Sequence, residues 1–214
     1  MLCLLGVVVR QERAERTRRV LVAAAAGEFD RAGFEGTSLA RVRAAAGISM
    51  GALTFHFPTK DALAQAVQGE GMALACGVVE KVRAQGGGAV QGVVALTLEL
   101  AGLLESEALV RAAARLARER GGVGGVWCGV WAPVIEELLQ GAGEEEFGAV
   151  GDRVTLAALA AHLVTGAEAL VRCRLGGPGA GEGGHVHGEH SAREQLAEIW
   201  ALVMRGLNVP PAAP

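Results

Sequence analysis

A chain of 214 residues is long enough for one large or two small domains and for a buried core. Cys3, Cys76, Cys128 and Cys173 lie far apart without CxxC spacing, which excludes a disulfide framework and reads as reduced, mostly buried thiols of a cytoplasmic protein. The net charge of −3 is uneven: residues 1–60 carry nine Lys/Arg and five Asp/Glu, a net +4 that leaves −7 for the rest, as suits an amino-terminal segment that meets phosphates.

Residues 2–9, LCLLGVVV, lack a basic flank before them and a small-residue cleavage site after them, so they do not make a signal peptide. Residues 1–12 read as an apolar tail, disordered or arising from an upstream start codon. A helix follows from Arg13, where RAERTRRVLVAAAAGEFDRAGF places Arg13, Arg16, Arg18 and Arg19 on a face that suits solvent or phosphate equally.

Residues 37–57, TSLARVRAAAGISMGALTFHF, read as two short helices hinged at a glycine. Leu39, Val42 and Ala46 share one face of the first, and Thr37 and Ser38 supply capping hydroxyls before it. Gly47 ends it where a left-handed residue is cheapest, Ile48 plugs the gap between the helices, and Ser49 caps the second. Leu53 and Phe57 give the second helix its inner face. Ser49, Met50, Gly51, Ala52, Thr54 and His56 form the outer one, with little bulk to keep the backbone from a major groove roughly 12 Å wide.

The rest of the chain reads as helices near 60–84, 89–105, 107–119, 127–141, 152–174 and 191–206. Thr59 is placed to cap the first of these. Glycine, 32 residues, is roughly twice as common as usual and falls mainly in the breaks. With no run of β-branched alternation the fold class is all-α. Residues 154–171 read as the only apolar run of near-membrane length, and His162 and Glu168 within it make a buried helix the better reading, with no membrane partner. Leu156, Leu159, Leu163, Ala167 and Leu170 form one apolar stripe, with Ala160 and Gly166 small enough for close packing. Leu196, Ile199, Trp200, Val203 and Leu207 form another. Both stripes fit an intrachain core or an interface with a second copy. Trp127 and Trp131, four apart, share a face as well.

Three patterns carry the chemistry of other classes. Gly47 to Gly51 satisfies GxSxG, but a nucleophile elbow needs a strand before its serine, and helices flank this one. Gly179, Gly181 and Gly184 satisfy GxGxxG with no preceding strand. His185, His187 and His190, with Glu182 and Glu189, have metal-ligand chemistry in a glycine-rich loop that pre-organises nothing. No catalytic residue, metal site or cofactor is expected.

The stretch from Ala32 to Leu63, AGFEGTSLARVRAAAGISMGALTFHFPTKDAL, resembles the DNA-binding domain of TetR-type transcriptional repressors, and the helix from Arg13 extends the match. The resemblance implies a helix-turn-helix domain over 13–75 with its motif at 38–57, a helical effector-binding and dimerisation domain over 76–207, and a tail over 208–214. It also implies a homodimer that sets two recognition helices on a palindromic double-stranded operator. Segments LVRAAARLARERG, WAPVIEELL and REQLAEIWALVMRGL narrow the resemblance to γ-butyrolactone autoregulator receptors, in which a tryptophan matching Trp131 lines the ligand cavity. Read from residues alone, Trp131 fits a pocket or a core, and Trp127 and Trp200 fit packing.

Thr54 departs from the GALYxHF pattern, which has tyrosine there, and the outer face lacks Arg, Lys, Asn and Gln. Base readout is therefore expected to lean on methyl contacts from Met50, Ala52 and Thr54 and on DNA shape, with Gly51 between them. Ser38 and Ser49 hold the helix ends, and Arg41, Arg43, His56, Lys60 and the amino-terminal arginines position phosphates. A small apolar effector such as a γ-butyrolactone would act through the helix starting at Lys60 and release the operator. The alternatives are a similar regulator sensing an antibiotic, another ligand or none, and a helical enzyme without a DNA role.

Overall fold

Helix boundaries follow the capping chemistry closely. In the computed structural model, residues 2–121, 127–143, 152–175 and 190–207 are described, with side chains from residue 11 to residue 205. The described residues form nine helices and no strand: α1 (Leu2–Gly36), α2 (Leu39–Ala46), α3 (Met50–His56), α4 (Lys60–Gln85), α5 (Ala89–Ser106), α6 (Ala108–Gly121), α7 (Cys128–Gln140), α8 (Arg153–Arg174) and α9 (Ala192–Leu207). The fold is all-α, as the sequence implies. Thr59 Oγ1 accepts from Ala62 N at the start of α4, and Asp152 accepts from Thr155 N at the start of α8. Ser191 and Glu194 form a reciprocal capping box at α9, with each side chain accepting from the other's backbone N–H at 3.0 and 2.7 Å.

Three expectations are corrected. The backbone is helical from Leu2, not a disordered tail; residues 2–12 contain one glycine and no proline, so nothing breaks the helix before Arg13. Besides α8, α4 and α5 are long and apolar enough to cross a membrane by length and composition. The apolarity of α5 has a local cause, since Val93, Leu96, Leu100 and Leu104 are buried along it. Finally, Cys76 and Cys173 are exposed and Cys128 is half-buried, because the first two lie on outward faces of α4 and α8. All three are free thiols.

Contacts group the chain into two compact units. The first joins residues up to Met72 with α6, and the second joins the remainder of α4 with α5, α7, α8 and α9. The core of the first unit is Leu21, Val22, Ala25 and Phe29 of α1, closed by Val42, Leu53, Phe57 and Leu63, with Leu116 of α6. Polar contacts then fasten α6 along the end of α1. Arg111 pairs with Asp30 at 2.7 Å, and Arg115 donates to the Asp30 carbonyl at 2.7 Å. Phe34 N donates to Glu119 Oε2 at 2.6 Å. Burial alone would raise the Glu119 pKa, but the hydrogen bonds from Phe34 N–H and Arg115 outweigh it and hold the carboxyl below its ordinary value. The chain reaches this carboxylate by kinking at Gly33, where φ is 71° and an added Cβ would collide with Glu119 Oε1.

In the second unit α5 is central, packed by α7, α8 and α9. Trp200 on α9 is buried and donates from Nε1 to Thr97 Oγ1 at 2.8 Å, and Thr97 donates onward to the Val94 carbonyl at 2.9 Å. Lys81 and Arg193 both pair with Glu99 at 2.9 Å. These partners, Lys81 foremost, hold the Glu99 carboxyl below its ordinary value.

Candidate nucleic-acid interface and effector site

The hinge between α2 and α3 is built from three residues. Ser38 Oγ accepts from Arg41 N at 3.3 Å, and Ser49 Oγ accepts from Ala52 N at 3.2 Å, so each serine caps one helix. Gly47 between them has φ 66°, the left-handed turn that ends α2. Thr37 does not cap: its buried hydroxyl lies 2.7 Å from the Gly33 carbonyl and 3.0 Å from that of Glu28, and it closes the end of α1 instead. Val42 and Leu53 are fully buried, and Leu39, Ala46 and Ile48 pack against them. Phe57 is buried beneath the Arg18 guanidinium, 5.5 Å from its ring centre, and Arg18 pairs with Glu70 at 2.8 Å. Arg18 therefore serves the core, and Arg13, Arg16 and Arg19 remain exposed.

With Leu53 inward, a helical rotation of about 100° per residue puts Gly51 and Phe55 at the middle of the outward face. Met50, Gly51 and Thr54 are exposed, and Ala52 and His56 half-exposed. Thr54 turns its hydroxyl back to the Met50 carbonyl at 3.0 Å, which leaves its methyl as the group on offer. The expectation of an outer face without bulk is corrected by Phe55, which is 82% exposed and meets His56 edge-on at 5.2 Å. A count of small residues passes over it, although its two-residue offset from Leu53 marks it as outward.

The cations divide. Arg43 is exposed and has no ion-pair partner among the described residues, whereas Arg41 pairs with Glu28 at 3.0 Å. Lys60 is half-buried: Nζ donates to the Phe34 carbonyl at 2.9 Å and sits 4.2 Å from the centre of the Phe34 ring. Arg120 stands 4.5 Å from the same ring and pairs with Asp61. Lys60 thus ties the start of α4 to the end of α1, a role that spacing alone did not disclose.

In the second unit Trp127 and Trp131 are both buried, and Trp131 Nε1 has no hydrogen-bond partner among the described residues. This contrasts with Trp200, whose indole N–H is satisfied. A separate open cleft of about 510 Å³ runs between α7 and α8, lined by Ile135, Leu139, Val154 and Ala158. The apolar stripes divide between interior and surface. Leu196 and Trp200 are buried, whereas Ile199 is exposed, as is Leu202 outside the stripe on α9. On α8, Leu156 and Ala167 are buried, and Leu159, Leu163 and Leu170 are half-buried around exposed Gly166. Glu168 is buried and pairs with Arg172 at 3.2 Å.

The remaining motifs separate cleanly. Ser49 of the GxSxG match is a helix cap between two helices. The GxGxxG glycines, His185 and His187 lie outside the described residues, as does the Cys3 side chain. His190 is described, 3.9 Å from Glu198.

A pair of capped helices of this kind, seated on a third and carrying a solvent-facing second helix, defines a helix-turn-helix regulator. Residues 21–67 match the family model described as bacterial regulatory proteins, tetR family. The chain is 28% identical over 207 residues to the A-factor receptor protein of Streptomyces griseus, an alignment spanning 95% of this chain and 68% of that one. It matches CprB, a TetR family protein of Streptomyces coelicolor solved in complex with its biological operator sequence, at 30% identity and a TM-score of 0.65, covering 93% of this chain and 91% of that one. A gamma-butyrolactone receptor described as ArpA-like matches at 26% identity and a TM-score of 0.71, covering 93% and 91%. The chain belongs to the TetR family of DNA-binding regulators and is related to the γ-butyrolactone receptors.

Proposed function

We propose that the protein is a homodimeric repressor, acting in the cytoplasm and released from a palindromic operator by a small, largely apolar ligand of the γ-butyrolactone class. The indole N–H of Trp131, buried and without an acceptor among the described residues, carries the ligand half of this reading. A buried donor without an acceptor costs about 1–3 kcal/mol, and a bound lactone carbonyl would remove that cost while the indole face meets the apolar body. The A-factor and gamma-butyrolactone receptors among its relatives support the same ligand class.

On the DNA side, Met50, Ala52 and Thr54 offer methyl groups to bases, and Gly51 admits the backbone. Arg43, Arg13, Arg16 and Arg19 meet phosphates, with Arg41, His56 and Lys60 at the margin. Ser38 and Ser49 keep the two helices in register. The outward parts of the α8 and α9 stripes, Leu159, Leu163 and Ile199, together with exposed Leu202 beside them, meet their copies across a two-fold axis.

The test begins with genomic duplexes selected by the protein. Titration with γ-butyrolactones should weaken binding about five- to 150-fold, the range of a 1–3 kcal/mol coupling. Trp131→Ala should retain operator affinity and lose the response. Lactones that leave operator affinity untouched would remove the lactone assignment.

A further inference from the structure

Phe55 has the largest exposure among the described large hydrophobic residues, at 82%, and it stands on α3. An aromatic ring in water forgoes a substantial burial gain, which a surface docking on the outward face of α3 would recover. Its direction is set by the helix: Leu53 points into the core, and the two positions most nearly opposite are Gly51 and Phe55. Helical side chains lean toward the amino terminus, the side on which Gly51 lies, and an added Cβ at Gly51 would meet nothing within 4 Å, so the space beside the ring is open. The edge contact with His56, at 84° between ring planes, limits the swing of the ring on its other side. The outcome is a flat apolar group projecting from the outward face of a helix on which Met50 and Thr54 are also exposed.

Resting on the DNA-binding reading above, we propose that Phe55 is a specificity-determining residue that reads the C5-methyl group of a pyrimidine in the major groove. Each base pair shows a distinct pattern there, and the methyl of thymine is its only apolar mark. A phenyl ring has no donor or acceptor with which to tell other base edges apart. It favours thymine over cytosine for the methyl alone, and it therefore accepts 5-methylcytosine where it rejects cytosine. Where cytosine replaces thymine at that one position of each half-site, operator affinity is thus sensitive to its methylation.

The experiment uses the full-length protein and a duplex it selects from a random-sequence library. Thymidines are replaced one at a time, in both half-sites, by deoxyuridine, and dissociation constants are measured at fixed salt for the wild type, Phe55→Ala and Phe55→Leu. At one position the wild type should lose about fourfold per half-site, as expected for one buried methyl. Phe55→Ala should show no penalty there while keeping any penalties elsewhere, and Phe55→Leu should lie between. At that position 5-methylcytosine should bind better than cytosine for the wild type only. Unchanged melting of both variants separates contact from folding. A uridine profile identical in wild type and Phe55→Ala overturns the assignment, including the case in which the variant binds all duplexes uniformly less well. Selection of no duplex by the wild type overturns the DNA-binding reading itself, and this one with it.

Discussion

Two buried indoles in one helical unit differ by a single hydrogen bond. Trp200 donates to Thr97, and Trp131 donates to nothing among the described residues. Trp→Phe removes the same volume at both positions, so the difference between them isolates the N–H. Trp200→Phe should cost about 1 kcal/mol more than Trp131→Phe, measured by urea unfolding without ligand. Equal costs would mean that Trp131 Nε1 has a partner after all. The sequence disclosed that the tryptophans were apolar and helical, and the family resemblance singled out Trp131. It could not disclose which indole is satisfied, because Thr97 and Trp200 are brought together by packing across a long stretch of chain. Lys60 went the same way: its cation was legible, but its attachment to the Phe34 carbonyl depends on how α1 ends.

At the scale of the element, α4 holds three glycines with opposite roles. An added Cβ at Gly71 would lie 2.5 Å from the Leu109 carbonyl oxygen and 2.6 Å from the Ala113 Cβ, so α4 and α6 touch there through backbone. At Gly69 and Gly77 it would meet nothing within 4 Å. Gly69→Ala and Gly77→Ala should each stabilise the protein by about 0.5–1 kcal/mol. Gly71→Ala should destabilise it through overpacking, by about 1–3 kcal/mol. Thermal unfolding of the three variants checks both signs, and a stabilised Gly71→Ala would contradict the close crossing. Helix limits were legible to within two residues or so at α4 to α9, because Ser, Thr, Asp and Gly at the ends act locally. The kink at Gly33 and the pairing of α6 with α1 were not, since both arise from contacts with Arg111, Arg115 and Glu119 far along the chain.

For the whole molecule, the division into two compact units places the solvent-facing α3 in one and Trp131 in the other. The central claim is that the outward face of α3 meets duplex DNA, and Gly51 is the position that tests it most directly. It is exposed and helical, with open space where a side chain would grow, so Gly51→Glu should fold at least as stably as the wild type. The new carboxylate would stand at the centre of the face and oppose phosphate charge. The decisive measurement is the affinity of wild type and Gly51→Glu for a selected operator across a salt series. The account predicts steep salt dependence for the wild type and a loss of at least about a hundredfold for the variant at unchanged melting temperature. Undiminished binding by a folded Gly51→Glu would contradict it.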